Sequence, residues 1–181
     1  MMDANNSLPM KWLCSTPVNV VVNNLFWAGC VIGRYELLWL VAPAVLCYVA
    51  LLLYCGVVRP GQLLVPVAAG VLVDSVFTAS GIFQFEHHAP ILPLWMWTLW
   101  LAFATTLPLS LRLLGRHRFL AAVTGALGFP FSYYLGFQLD AVRFGLSLPV
   151  TMMLVALTWA VLLPLFFKWI DSYQETANEA I

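Results

Sequence analysis

Val65-Pro-Val-Ala-Ala-Gly-Val-Leu-Val-Asp-Ser-Val-Phe-Thr-Ala-Ser-Gly81 is the stretch that decides the fold. It is apolar enough to cross a bilayer, yet it carries one carboxylate, Asp74, well inside. A charge at that depth costs about 3 kcal/mol or more, so it indicates either a stabilising interaction partner or a functional role. On a helix, Gly70, Asp74 and Thr78 follow at intervals of four residues and share one face. Because small residues let helices approach closely, this face predicts that Asp74 points into a bundle and not at lipid.

The composition is that of an integral membrane protein. Of the 181 residues, 62% are hydrophobic and only 9% are charged, with a mean hydropathy of +0.91. A soluble domain typically has about 25% charged residues. At about 20 residues per crossing, the chain has room for about six helices and not for a separate soluble domain. The net charge of zero, without a basic cluster that has interleaved aromatic residues, argues against a nucleic-acid partner.

The hydrophobic pattern predicts an all-α fold, a polytopic membrane helix bundle that forms one integral membrane domain over residues 1–181. We expect six transmembrane helices at about residues 17–33, 35–58, 61–81, 94–114, 119–137 and 148–169. Arg34 and Glu36 mark a very short turn between the first two helices. Within the fourth helix, an interruption is expected at Thr105, Thr106 and Pro108.

The first helix carries a polar stripe, formed at helical spacing by Asn19, Asn23, Trp27 (or Phe26), Cys30 and Arg34. Intramembrane asparagine commonly hydrogen-bonds another helix, so the stripe either holds helices together or lines a pocket. The same segment has the outline of a lipoprotein leader. Its asparagines interrupt the apolar core of such a leader, and we expect a retained transmembrane helix.

The fifth helix carries a second stripe, of small residues, which consists of Ala121, Gly125, Gly128, Ser132 and Gly136. Such stripes predict close helix packing. We expect the third and fifth helices to pack together, with Gly70 and Thr78 against Gly125 and Gly128. The same face continues to Asp140 and Arg143, which are one helical turn apart and can form a local pair.

The basic residues predict the orientation in the membrane. With the N-terminus in the cytoplasm, six of the eight Lys and Arg residues lie on that side, and only Arg34 and Arg143 lie on the other. Both termini are therefore expected in the cytoplasm. Asp74 lies about 20 Å beyond Gly61 in a core about 30 Å thick, which places it in the outer half. An outward polar cavity around Asp74 is expected, because the same side holds Glu86, His87, His88, Asp140 and Arg143.

No signature of a soluble enzyme or nucleotide-binding site occurs in the sequence, so we expect no catalytic residue and no cofactor. Adjacent His87 and His88 diverge on a helix or a strand, and their run lacks the spacing of zinc ligands, so a metal site is not expected either. For Asp74, two interpretations stay open: a structural bond, neutral or to an arginine, and a functional site. The candidate ligand-binding residues are Asp74, Thr78, Asn23, Glu86, His87, His88, Asp140 and Arg143.

Three segments carry a resemblance to a known family: Gly70-Val-Leu-Val-Asp74, Gly81-Ile-Phe-Gln-Phe85, and Pro93-Leu-Trp-Met-Trp-Thr-Leu-Trp100 with Phe103-Ala-Thr-Thr106. Together they resemble a bacterial family of small inner-membrane proteins that is described only as a domain of unknown function. The resemblance spans nearly the whole chain and implies a bacterial inner (cytoplasmic) membrane without a known activity.

The chain is also loosely similar, in size, helix number and the Gly-x-x-x-Asp of the third helix, to two other groups. These are the substrate-binding subunits of energy-coupling-factor vitamin transporters and the rod-shape protein MreD. Its first helix lacks the Ala-x-x-x-Ala with which the vitamin subunits dock their coupling subunit.

We therefore expect a multi-pass membrane protein that is a binding or assembly subunit and not an enzyme. Its expected partners are the lipid bilayer and a membrane protein or small ligand, met through the cavity around Asp74. The alternative is the substrate-binding component of a small-molecule transporter. A membrane enzyme acting on lipid would need a second catalytic group beside Asp74.

Overall fold

In the residues that the structure describes, the protein is a bundle of helices with one small pair of strands. A computed structural model describes residues 12–85 and 91–179. In chain order its elements are α1 (Thr16–Tyr54), α2 (Pro60–Ala79), β1 (Phe83–Gln84), α3 (Leu94–Ala104), α4 (Arg112–Gly115), α5 (Arg118–Gln138), β2 (Arg143–Phe144) and α6 (Leu148–Glu179). Helices α1, α2, α5 and α6 are long and apolar enough to cross a membrane. The prediction of an all-α membrane bundle is confirmed.

Helix α1 is a hairpin of two antiparallel arms, residues 16–33 and 35–54. Its 39 residues would span about 58 Å if straight, about twice the thickness of a bilayer core. The backbone leaves the helical region at Arg34 (φ 42°, ψ −124°), where the chain reverses. The arms then lie side by side: a Cβ on Gly29 would approach Val41 Cγ2 to 2.7 Å, and the Asn19 amide donates to the Tyr48 hydroxyl at 3.3 Å. The predicted turn at Arg34 is present.

One end of the bundle, which we call the basic end, collects five of the described basic residues: Arg59, Arg112, Arg116, Arg118 and Lys168. The indole of Trp169 donates to the Gly61 carbonyl at 3.0 Å and so joins α6 to the start of α2. A cavity of about 270 Å³ between α4, α5 and α6 is lined there by Gly115, Arg118 and Lys168, among others.

The opposite end, which we call the hairpin end, holds the other two described basic residues, Arg34 and Arg143. The Arg34 guanidinium donates to the Asp140 carbonyl at 3.2 Å, which joins the α1 turn to the end of α5. Strands β1 and β2 pair there in antiparallel fashion, with Phe83 opposite Phe144 and Gln84 opposite Arg143. The described part of the chain thus passes six times between the two ends. That the basic end faces the cytoplasm stays a prediction.

The fourth pass is not the continuous helix 94–114 that we expected. Helix α3 ends at Ala104, turns follow, and α4 completes the pass. The backbone N–H groups of Thr105 and Thr106 donate to carbonyls three residues back, at 3.1 and 2.8 Å. Irregular backbone at membrane depth is tolerated where protein surrounds it, and Thr105 and Leu107 are fully buried. The break lies at the predicted Thr105, Thr106 and Pro108.

The small residues pack differently from the prediction. Gly125 of α5 lies against α6, where a Cβ would overlap the carbonyl oxygen of Trp159. Gly70 of α2 lies against α3, where a Cβ would overlap the Trp100 ring. Gly128 is exposed and would have no atom within 4 Å of its Cβ. The expected pairing of Gly70 with Gly125 and Gly128 is therefore wrong, because Gly70 makes room for the Trp100 ring of α3 and Gly125 makes room for the backbone of α6.

Large apolar side chains cover the outside of the bundle. Exposed fractions reach 74% at Trp39, 63% at Leu72, 82% at Phe119 and 61% at Leu157. In water such a surface would cause aggregation, whereas in a bilayer it faces lipid tails. The outer surface and the spanning helices together indicate a membrane protein in contact with lipid.

Candidate functional site

The carboxyl group of Asp74 is fully enclosed at the centre of the bundle, with an exposed fraction of 0%. The Trp100 indole donates to its Oδ2 at 2.7 Å, and the Tyr133 hydroxyl donates to its Oδ1 at 2.5 Å. Both donors are neutral side chains, one from α3 and one from α5. We call this arrangement the Asp74 centre. It ties α2, α3 and α5 together through one carboxyl group.

Packing around the two donors explains why they reach Asp74. Gly70 lies one turn before Asp74 on α2 and leaves space for the Trp100 ring, which also stacks on Trp159 at 5.0 Å. On the other side, Phe83 of β1 stacks on the Tyr133 ring at 4.8 Å. The strand pair holds Phe83 in place. Small residues and aromatic rings thus position both donors.

Of the other residues predicted around Asp74, those that the structure describes do not form a cavity with it. The Thr78 hydroxyl donates to the Asp74 backbone carbonyl at 2.7 Å, a bond within α2. Asp140 and Arg143 are exposed at the hairpin end. Asp140 has a left-handed backbone (φ 55°) and Arg143 lies in β2, so they do not share the helical turn that we expected. Glu86, His87 and His88 lie outside the described residues.

A second polar group, which we call the Asn19 centre, lies nearer the basic end. The buried Asn19 amide donates to the Thr105 hydroxyl at 3.0 Å and to Tyr48 at 3.3 Å, while its oxygen accepts from the Ser110 hydroxyl at 2.7 Å. The Asn23 amide donates to Thr105 at 3.1 Å. Thr105 in turn donates to the carbonyl of Ala102 at 2.8 Å. The first arm of α1 and the break after α3 therefore stabilise each other.

Two adjoining cavities open between α1 and α3. The first, the aromatic cavity, has about 90 Å³ and six aromatic side chains in its wall, namely Trp27, Trp95, Trp100, Phe103, Phe129 and Tyr133. The second, the polar cavity, has about 280 Å³ and includes Asn23, Asn24, Thr106 and Ser110. Both cavities share Trp27, Leu99 and Phe103. We call the combined space the α1–α3 cleft.

The wall of the cleft brings together some predicted residues and some that sequence reasoning missed. Asn23 lines the polar cavity, while Ser132 and Gly136 line the aromatic one. Ser132 also accepts a hydrogen bond from the Trp27 indole at 3.0 Å, which links α1 to α5. Trp100 and Tyr133, the partners of Asp74, were not among the predicted site residues. The sequence does contain a signal for these partners: a carboxylate inside a membrane-spanning segment needs hydrogen-bond donors, and Trp and Tyr residues elsewhere in the chain can supply them.

The two oxygens of Asp74 are occupied by hydrogen bonds, and among the described residues no three His, Cys, Asp or Glu side chains lie close enough to hold a metal ion. At the basic end, burial and a hydrogen bond to Cys55 raise the pKa of the Cys14 thiol to about 12, which makes it a poor nucleophile. Among the described residues, the α1–α3 cleft combines apolar walls with a few polar groups, as ligand sites do.

No curated protein and no solved structure matches this chain. One family model does, and it matches residues 16–165, a range that includes the Asp74 centre, the Asn19 centre and the cleft between α1 and α3. The chain therefore belongs to the family described as Protein of unknown function (DUF2878).

Proposed function

We propose that this protein is a binding subunit of a bacterial inner-membrane system, and that it holds a lipid headgroup or another small amphipathic ligand in the α1–α3 cleft. The observation that carries the proposal is the junction of the two cavities at Trp27, Leu99 and Phe103. Amide and hydroxyl groups on one side can hydrogen-bond polar atoms of a ligand. Aromatic rings on the other side can surround its apolar groups.

In this proposal Asp74 acts through its two donors. The residue is sealed from the cleft, but Trp100 and Tyr133 belong to the wall of the aromatic cavity. A carboxylate that fixes both side chains pre-organises the cavity, so less order must be imposed when a ligand binds. The orientation that goes with the proposal places the aromatic cavity in the outer half of the membrane and the basic end in the cytoplasm.

A pair of glycines on α5 offers a matched test. Gly136 lines the aromatic cavity, and a Cβ there would find its nearest atom, Val142 Cγ1, at an ordinary 3.6 Å. Gly136→Val therefore fills the cavity. Gly128→Val places the same side chain on the same helix in open space.

The protein and both variants are purified from native membranes in mild detergent, and the bound small molecules are identified by mass spectrometry. We expect a stoichiometric lipid or small molecule with the wild type and with Gly128→Val, and its loss with Gly136→Val. Equal amounts in all three proteins, or none in any, would refute a ligand site in the cleft.

The interruption after α3 favours a second candidate, the substrate-binding component of a small-molecule transporter. Transporters commonly bind substrate near the membrane midplane at helices that are broken there. The turns that begin at Thr105 break α3 in this way beside the polar cavity. Uptake of the identified ligand into sealed vesicles that contain the protein and its membrane partners would favour this candidate, and binding without uptake would exclude it.

A further inference from the structure

We propose that the aromatic cavity is a site for an alkylammonium group, with the Asp74 carboxylate as the counter-charge behind its wall. The inference rests on the proposed binding function and names the chemistry of the ligand. It follows from three observations: the aromatic lining, the position of the carboxylate, and the size of the cavity.

The lining is suited to a cation without polar hydrogen atoms. Rings of Trp, Tyr and Phe attract cations through the negative potential of their faces, and quaternary ammonium groups are recognised in such surroundings. Six aromatic side chains line the cavity, three of them tryptophan: Trp27, Trp95 and Trp100. Among the described residues of the wall, Ser132 and Tyr133 carry the side-chain hydroxyl groups. Both have partners, since Ser132 accepts from Trp27 and Tyr133 donates to Asp74. A ligand group that requires many hydrogen bonds would find few there.

Asp74 supplies the charge that such a ligand needs. Both of its oxygens lie within hydrogen-bond distance of a donor, and in this proposal the carboxyl group is ionised when the cation is bound. Its donors are the polar atoms of Trp100 and Tyr133, two of the rings that line the cavity. Donation to an anion increases the electron density of both rings and so strengthens their attraction for a cation.

A carboxylate that stays ionised inside a membrane is stabilised by an opposite charge. The described basic side chains lie at the two ends of the bundle, Arg34 and Arg143 at one and the remaining five at the other. Asp74 lies between the ends, and the donors that contact its carboxyl group are uncharged. A cation in the aromatic cavity would sit across one layer of rings from this carboxylate. The ligand itself would then supply the missing charge.

The size of the cavity limits the group that fits. An apolar cavity of about 150 Å³ accepts benzene, which has six heavy atoms. The aromatic cavity, at about 90 Å³, therefore suits a group of about four heavy atoms, such as trimethylammonium. The rest of a larger molecule would extend past Trp27 and Phe103 into the polar cavity, where Asn23 and Ser110 offer hydrogen bonds to ester or hydroxyl oxygens.

The decisive experiment compares two probes of the same shape. Choline and its neutral carbon analogue, in which carbon replaces the quaternary nitrogen, are titrated into the purified full-length protein at constant ionic strength, and binding is measured by calorimetry and thermal unfolding. We expect saturable binding of choline and at least about tenfold weaker binding of the neutral analogue, the difference expected for a desolvated cation among aromatic rings. Equal affinities for the two probes would overturn the inference.

Two tryptophans on α3 provide a matched pair of variants. Trp95 is buried and lines the cavity, whereas Trp97, two residues later, is 48% exposed on the other face. Trp95→Leu should weaken choline binding about tenfold or more, and Trp97→Leu should leave it unchanged. Asp74→Asn should weaken choline binding without changing the affinity for the neutral analogue. If Asp74→Asn does not fold, the inference is still tested by comparing choline with its neutral analogue on the wild type and by comparing Trp95→Leu with Trp97→Leu.

The outcomes separate this inference from the function on which it rests. If a native ligand is lost with Gly136→Val while the two probes bind equally, the cleft is a binding site and the ammonium inference is wrong. If no native ligand is found and neither probe binds, both proposals are wrong. Choline binding that is equal in Trp95→Leu and Trp97→Leu would place the probe elsewhere and refute the cavity as its site.

Discussion

The Asp74 centre and the Asn19 centre solve the same problem, a polar group inside a membrane, in different ways. At the Asp74 centre a carboxyl group is enclosed by aromatic rings, and two neutral donors occupy its oxygens. At the Asn19 centre neutral amides and hydroxyls form a network beside an open cavity. A charge is costly wherever it is incompletely surrounded, whereas a neutral amide tolerates a nearby opening.

Because of this difference, the residues that line the cleft are the neighbours of Asp74 and not Asp74 itself, although Asp74 is the most conspicuous residue in the sequence. The carboxylate of Asp74 organises three helices but does not itself touch the cleft. Asn23, an ordinary member of a polar stripe, lines the polar cavity. The side chains that contact a ligand are therefore to be sought around the charge and not at it.

The largest expected effect is at the Asp74 centre itself. Asp74→Leu leaves the buried Trp100 N–H and Tyr133 O–H without an acceptor, and each unpaired donor costs about 1–3 kcal/mol. We expect the free energy of unfolding to fall by about 3 kcal/mol or more. Asp74→Asn keeps one acceptor for Trp100 and can donate to Tyr133, so it should lose less than half as much. Reversible unfolding in mixed micelles measures both, and wild-type stability of Asp74→Leu would contradict the role assigned to this centre.

The second largest effect is expected at Gly70, which tests whether close packing positions Trp100 at the Asp74 centre. Gly70→Ala places a methyl group where the Trp100 ring now lies, so the ring must move away from the Asp74 oxygen. Overpacking of this kind costs about 1–3 kcal/mol, and we expect about 2 kcal/mol. Gly128→Ala is the control, because its methyl group enters open space and alanine favours the helix by up to about 1 kcal/mol. If the two variants have the same stability in the same unfolding assay, Gly70 is not a packing residue.

The sequence was sufficient to predict the fold class and the burial of Asp74, because both depend on local pattern. Long apolar runs predict the spanning segments, and the face formed by Gly70, Asp74 and Thr78 consists of residues that are all buried. The reversal at Arg34 followed from charges at the end of an apolar run. Each of these signals lies within a few residues of the feature that it predicts.

The partners of Asp74 could not be predicted in this way. Trp100 and Tyr133 lie 26 and 59 residues away along the chain, and the same residue types also occur in aromatic belts. A stripe of small residues also does not predict which helix packs against it. Gly70 and Gly125 face tryptophan-bearing helices, α3 and α6, and not each other.

A smaller loss of stability is expected at the Asn19 centre. Asn19→Leu removes hydrogen bonds to Thr105, Tyr48 and Ser110, and interhelical hydrogen bonds in membrane proteins average about 0.6 kcal/mol. We expect a loss of about 1.5 kcal/mol in the free energy of unfolding, roughly half that of Asp74→Leu. A loss at Asn19 that exceeds the loss at Asp74 would reverse the order of the two centres.

The smallest effect separates two neighbouring asparagines that both line the polar cavity. Asn23→Leu removes one of the two amides that donate to the Thr105 hydroxyl, but the Asn19 amide stays in place at 3.0 Å. The expected loss is therefore about 0.6 kcal/mol. Asn24→Leu removes a bond within its own helix, to the Val20 carbonyl, at an exposed position, so its stability should match that of the wild type. Parallel unfolding curves of the two variants measure the difference. If Asn23→Leu lost as much stability as Asn19→Leu, Thr105 would depend on both amides, and the Asn19 centre would be as tightly coupled as the enclosed carboxylate.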